Sequence, residues 1–342
     1  MQIREAIKEV IERRNLNEEQ AFSVAREIMS GETTPTLIAA LLVGLRMKGE
    51  TVQEISGFVR AMREKATPLG VSIQSDKLVD PVGTGGDGAG TFNISTVSAF
   101  VAAAAGCHIA KHGNRSISSK SGSADVLQSL GANIELPPEV MARCVDDIGI
   151  GFMFAPLYHK AMKHAIGPRR ELGIRTIFNV LGPLTNPAGA KRQLIGVFSA
   201  DLTEPLANVL KGLGSLHCMI VHGEDGLDEI TVTGKTKVSE LKNGEVVTYT
   251  ISPEDFGLSI ANPEALLGAG PEENARIARQ ILAGELGAKR DIVTLNAGAT
   301  IYVSGLVETL EEGIKKAQQI IDSGEALQKL ESFVDWTSRE GQ

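Results

Sequence analysis

Between Asp80 and Asp125 the chain gathers residue types suited to holding phosphate. The run Asp80-Pro-Val-Gly-Thr-Gly-Gly-Asp-Gly-Ala-Gly-Thr-Phe-Asn-Ile-Ser-Thr96 puts Gly83, Gly85, Gly86, Gly88 and Gly90 in one loop. Glycines let backbone N–H groups approach an anion closely, and a helix that starts behind the loop turns the positive end of its dipole on it. Downstream, Lys111-His-Gly-Asn-Arg-Ser116 offers Lys111, His112 and Arg115 as counter-charges, and Ser121-Gly-Ser-Ala-Asp125 adds hydroxyls. Glycine-rich strand–helix turns also serve tight packing, and this spacing is not the dinucleotide Gly-x-Gly-x-x-Gly. The second, cation-bearing loop is what favours a phosphate site. Each of Asn93, Ser95 and Thr96 could equally cap the helix, and one residue can do both.

Two further groups have chemical potential. Asp228-Glu229, after Gly226, is a pair of hard oxygen donors of the kind Mg²⁺ takes, although adjacent acids after a glycine commonly form a solvated turn. Arg169 and Arg170 lie in Gly167-Pro-Arg-Arg-Glu-Leu-Gly173; a guanidinium fork suits a carboxylate, and surface-helix arginine is the commoner fate. Gly234-Lys235-Thr236 has the ending of a P-loop, but Glu229 stands where its first glycine belongs.

The elements that must position these residues follow from periodicity. Leu78 and Val79 form a short strand into the glycine loop, Val97 to Gly106 continues a helix, and Cys107 to Ala110 is a second strand delivering Lys111. Ahead of them the first 70 residues are helical. Ile3, Ala6, Ile7, Val10 and Ile11 form one stripe, and Asn17 with Gln20 and Thr51 with Glu54 read as capping boxes. Thr34-Pro35 starts a further helix. From Lys77 onward short apolar strands alternate with helices. Strands are expected at Ile150 to Phe154, Gln193 to Phe198 and His217 to His222, and a hairpin turns at Lys242-Asn-Gly244. Ile134 to Leu136 reads as a short extended piece, His159 to Leu172 as a basic helix, and Glu272 to Leu286 and Val307 to Phe333 as amphipathic helices around an apolar segment, Ile292 to Tyr302. The fold class is therefore α/β: a small all-helical N-terminal domain plus a larger α/β domain with a central, mostly parallel sheet flanked by helices.

At 342 residues and 42% hydrophobic the chain can bury a substantial core. A net charge of -8 and a pI near 5.4 argue against a nucleic-acid footprint. Cys107, Cys144 and Cys218 are scattered and read as buried small hydrophobes. No apolar run reaches the ~20 residues of a membrane span, and Arg4, Glu5, Lys8 and Glu9 interrupt any signal peptide. A soluble cytoplasmic protein is the expectation.

Gly83-Thr-Gly-Gly-Asp87, Phe92-Asn-Ile-Ser-Thr96, Lys111-His-Gly-Asn-Arg-Ser116, Ser121-Gly-Ser-Ala-Asp125, Phe178-Asn-Val-Leu-Gly-Pro-Leu-Thr-Asn-Pro187 and Gly226-Leu-Asp-Glu229 together resemble the anthranilate phosphoribosyltransferases, in the family's order and over nearly the whole chain. The resemblance implies transfer of phosphoribose from phosphoribosyl pyrophosphate (PRPP) to the amine of anthranilate. It implies PRPP binding by Gly83, Gly86, Asp87, Thr91, Asn93, Ile94, Ser95, Thr96, Lys111, His112, Gly113, Asn114, Arg115, Ser116, Ile117, Ser118, Ser119 and Ser123. Anthranilate would meet Gly83, Asn114 and Arg169, and two Mg²⁺ ions would use Ser95, Asp228 and Glu229. The family's architecture implies a helical domain of 1–70 joined by about 165–188, an α/β domain of 71–164 and 189–342, and a homodimer. Where the family often has His-Pro-Ala, this chain has His159-Lys160-Ala161. The rival enzyme is a pyrimidine nucleoside phosphorylase, which would need no acidic pair. A non-catalytic relative that binds nucleic acid is a further alternative, and the acidic charge weighs against it.

Overall fold

The computed structural model describes residues 1–116 and 120–340. Four helices open the chain: α1 (Ile3–Ile11), α2 (Glu18–Ser30), α3 (Pro35–Lys48) and α4 (Val52–Lys65). Their starts are written in the sequence. Asn17 and Thr51 accept from the N–H three residues on while Gln20 and Glu54 reach back, and Pro35 takes the first position of α3 behind Thr34. Glu54 is fully buried and is matched by Lys48 at 2.9 Å.

The α/β part follows as β1 (Leu78–Gly83), α5 (Ile94–Ala104), β2 (His108–Gly113), α6 (Ser123–Ser129), α7 (Pro138–Ile148), β3 (Ile150–Phe154), α8 (Ala155–Tyr158), α9 (Lys163–Leu172), α10 (Phe178–Leu184), β4 (Arg192–Gly196), α11 (Thr203–Gly212), β5 (His217–Gly223), β6 (Thr236–Lys242), β7 (Glu245–Ile251), α12 (Pro271–Leu282), α13 (Ala288–Ser304), α14 (Leu310–Asp322) and α15 (Glu325–Glu340). The seven strands lie in the order β3-β2-β1-β4-β5-β6-β7. The first five are parallel, and the β6–β7 hairpin extends the sheet antiparallel, turning at Asn243 and Gly244 with positive φ at both.

Two apolar cores sandwich this sheet. One packs α5, α13, α14 and α15 against it through Val97, Phe100, Ile292 and Phe333. The other joins α1–α4 with Ala165, Ile177 to Leu184, α11 and the sheet residues Val82, Ile195, Val197 and Ile220. Phe58 of α4 meets Phe178 of α10 edge-on, with ring centroids 5.9 Å apart.

Several elements differ from the periodicity reading. The stretch His159 to Leu172 is a 3₁₀ turn at Lys160–Met162 followed by α9, with α8 ahead of it. Ile134 to Leu136 is loop, with Ile134 and Leu136 buried and Glu135 exposed, and has no ladder partner among the described residues. Val307 to Phe333 is two helices, broken at Gly324 with φ +79°. The apolar segment Ile292 to Tyr302 is the interior of α13, a helix apolar nearly all round because it is enclosed.

Candidate active site

In an open α/β sheet, ligands bind beyond the carboxyl ends of the strands where the strand order reverses. Here that point lies between β1 and β4, and it coincides with the glycine loop. Gly83 and Gly196 are register partners there, and the acidic pair sits over both. A Cβ on Gly83 would stand 2.6 Å from Asp228 Oδ2, and one on Gly196 would fall inside the Asp228 carbonyl. Gly196 is therefore closed to a side chain by backbone, whereas one at Gly83 would require the Asp228 carboxylate to move. Gly85 N–H donates to Asp228 Oδ2 at 2.7 Å, and Ser95 N–H, in the first turn of α5, donates to Glu229 Oε1 at 3.1 Å.

Lys111 reaches the same point from β2. Its ammonium donates to Pro81 O at 2.5 Å and Ser95 Oγ at 3.2 Å, and it is almost wholly buried. Burial pushes its pKa down, while Asp80, Glu229 and Asp228 pull it back up. Desolvation also raises the two acids. Glu229 is pushed up to about 8, with Lys111 opposing and Asp87 assisting, and Asp228 rises through its neighbours Glu229 and Asp87. Both residues as a whole are half-buried. Three acids thus converge on one ammonium. A divalent cation held by oxygen donors fits that imbalance.

Beneath the site Asp80 is fully buried, accepting from His112 N–H at 3.1 Å and Asn186 Nδ2 at 2.7 Å; burial raises it to about 6 against the pull of Lys111. His112 Nδ1 donates to Gly182 O at 3.2 Å, and Nε2 has no partner among the described residues. Its ring centroid lies 5.0 Å from that of His159, whose Nε2 also lacks a partner among the described residues. Desolvation holds both neutral, His112 at about 3 with His159 adding to the effect, and His159 at about 4. Arg169, on α9, lies half-buried over Phe178, 5.3 Å from the centroid, with no acid partner among the described residues; Arg170 is exposed.

The remaining expected residues divide. Gly86, Asp87, Thr91, Asn93, Ile94 and Thr96 line the loop and the start of α5. Asn93 stands at the N-cap without a side-chain cap bond; its amide donates to Ser121 O at 3.1 Å instead. Gly113 ends β2, and Asn114, Ser116 and Ser123 follow it, where Ser123 Oγ donates to Asn114 O at 3.2 Å. The Arg115 guanidinium is held by Asp125 at 3.0 Å and Gln128 at 2.6 Å. Ile117, Ser118 and Ser119 lie outside the described residues. Sequence reasoning missed Asp80, Asn186, His159 and Arg175, whose guanidinium donates to Gly86 O and stacks on Phe198. It also missed Asn296, for which a lone amide inside an apolar helix was the available signal.

Residues 75–327 match the glycosyl transferase family α/β domain, and residues 4–66 match that family's helical bundle domain. The anthranilate phosphoribosyltransferase of Acetivibrio thermocellus is 54% identical over 336 residues, covering 98% of this chain and 97% of the relative. Among solved structures, the enzyme of the same name (TrpD) from Thermus thermophilus superposes with a TM-score of 0.92 at 47% identity, covering 97% of this chain and 99% of that one. The Saccharomyces cerevisiae enzyme, solved in complex with PRPP and Mg, gives 0.89 at 30% identity over 98% of both chains. Matched from end to end in sequence and in fold, the chain belongs to the glycosyl transferase family and, within it, to the anthranilate phosphoribosyltransferases.

Proposed function

We propose that the protein transfers the 5-phosphoribosyl group of PRPP to the amine of anthranilate, the bond from C1 to the pyrophosphate oxygen breaking as the bond from C1 to nitrogen forms. The observation that carries this reading is the convergence of the glycine loop, Lys111 and Asp228-Glu229 at the switch point between β1 and β4. Bound Mg²⁺ would supply charge neutralisation for the leaving pyrophosphate. Asp228, Glu229 and Ser95 would hold it, with two ions as the proposed complement.

The chain's own groups do the rest. Amides of the glycine loop and the first turn of α5 face the phosphates, and Lys111 adds a charge that burial keeps from solvent. On the acceptor side Arg169 offers the anthranilate carboxylate a fork held flat by Phe178. Asn114 and the backbone at Gly83 flank the amine. An aryl amine is already a nucleophile, so orientation matters more than a strong base. His112 and His159, which burial holds neutral, would line the acceptor side rather than act as bases.

We also take residues 1–70 with 165–188 as the helical unit, and the exposed Ile11 and Met47 on the packed pair α1 and α3 as part of a homodimer face. Following anthranilate fluorescence with purified protein, PRPP and Mg²⁺ tests the activity. Loss that requires all three supports it. No loss with all three present, or loss without PRPP, overturns it.

A further inference from the structure

Asn296 lies in the middle of α13 and is fully buried. A polar amide there is unfavourable unless its hydrogen-bonding groups are used, and an apolar side chain would suit the surrounding core better. Its bonds converge on one residue. Oδ1 accepts from Ile230 N–H at 3.0 Å, and Nδ2 donates to Ile230 O at 2.8 Å and to Ile292 O at 2.8 Å in its own helix. One side chain therefore grips both backbone groups of Ile230, as a neighbouring strand would.

Ile230 directly follows Glu229. Its N–H belongs to the peptide plane joining the two residues, so the grip fixes that plane and with it the direction in which Glu229 leaves the backbone. The far side of the pair is tied differently. Asp225 accepts from Leu227 N–H at 3.1 Å, and Gly223 N–H donates to Leu227 O at 2.9 Å. Gly83 and Gly196 form the floor. On the near side the next residue, Thr231, is held as well, its hydroxyl by Asp225 at 2.6 Å and its N–H by Thr236 Oγ1 at 3.0 Å, so Asn296 is specifically the group that holds the Glu229–Ile230 peptide itself.

We propose that Asn296 is a positioning residue for the divalent-cation site, setting the Glu229 peptide so that the carboxylates of Asp228 and Glu229 face the glycine loop together. This rests on the assignment of those two acids as the metal pair. Groups that orient metal-binding side chains from behind typically contribute about 10–100-fold in metal affinity.

The test uses the full-length protein and Mn²⁺ as the probe, with bound ion read from the electron paramagnetic resonance of the free ion in the presence of PRPP. Melting temperature and the Mg²⁺ dependence of turnover are measured alongside. Asn296→Leu removes the grip at similar volume. Asn296→Ser removes it with a small neutral group and decides alone if the leucine variant does not fold. Thr294→Val, a buried change in the same helix whose hydroxyl bonds back to Arg290 O, controls for general loosening. Asp228→Asn with Glu229→Gln tests the underlying assignment. We expect both Asn296 variants to weaken Mn²⁺ binding and raise the Mg²⁺ half-saturation about tenfold, with the KM for anthranilate unchanged. Thr294→Val should move only the melting temperature. If the Asn296 variants melt lower yet bind Mn²⁺ as the wild type does, while the double acid variant loses binding, the positioning role is overturned and the metal pair stands. If the double acid variant binds Mn²⁺ unchanged, both fall.

Discussion

Gly83 and Gly196, partners across β1 and β4, meet the same residue: both face Asp228, one its carboxylate and the other its carbonyl. Neither has a positive φ, so backbone freedom does not explain them. Proximity does. The acidic loop lies directly on the two strand ends, and a side chain there would displace its backbone or the Asp228 carboxylate.

Gly196→Ala should therefore displace the loop more than Gly83→Ala, because its new Cβ meets backbone rather than the end of a side chain. Overpacking of this kind costs about 1–3 kcal/mol. Chemical denaturation and Mg²⁺ titration of turnover together check it. Equal effects of the two alanines would contradict the geometry.

Lys111→Met leaves Asp80, Asp228 and Glu229 without their shared ammonium. Stripping a buried group of its counter-charge typically costs about 3–5 kcal/mol, so the variant should melt lower. Its KM for PRPP should rise more than its KM for anthranilate, since the ammonium sits at the glycine loop. Steady-state kinetics with each substrate varied gives the ranking, and the reverse order would move Lys111 out of the donor site.

Arg169→Ala should raise the KM for anthranilate by about tenfold or more, the scale of a charge-assisted hydrogen bond of about 1.5–3 kcal/mol. Arg170→Ala, an exposed position, should change it little. The opposite order transfers the carboxylate contact to Arg170.

His159 should make the fold sensitive to mild acid. Its folded-state pKa of about 4 lies below the ordinary 6.5, so the protonated form is disfavoured in the native state. Its contribution is fully present above about pH 6.5 and is lost as pH falls toward 4. The stability difference between wild type and His159→Gln should shift by about 2 kcal/mol between about pH 7 and pH 5, in favour of the variant at the lower pH. Urea unfolding at the two pH values measures this. A pH-independent difference would mean the ring is already hydrated.

The legible parts of the sequence were those whose causes are local. The capping boxes at Asn17 and Thr51 fixed helix starts, and the glycine loop announced itself by composition. Lys111 and Asp228 were legible as residue types, but not their meeting, which depends on sheet order. Whether Asn93 caps the helix with its side chain stayed open in the sequence, because its amide is drawn to Ser121, a partner 28 residues away. Arg115 looked like a free cation because Asp125 and Gln128 are brought to it only by the fold of α6. Residues such as Asn296 act through a backbone 66 positions distant, and no local pattern encodes that.

The second core also bears on how the chain is made. Phe58 meets its ring partner Phe178 120 residues later (178 − 58), and the other side chains that complete the helical core, Ile177 to Leu184, emerge with it. At about 5–20 residues per second, translation takes roughly 6–24 s to cover that interval. For that time the apolar faces of α2 and α4 stand beside the ribosome without their lid. The nascent N-terminal segment is thus the stretch of this protein most exposed to chaperone capture, although in the finished molecule it is among the best buried.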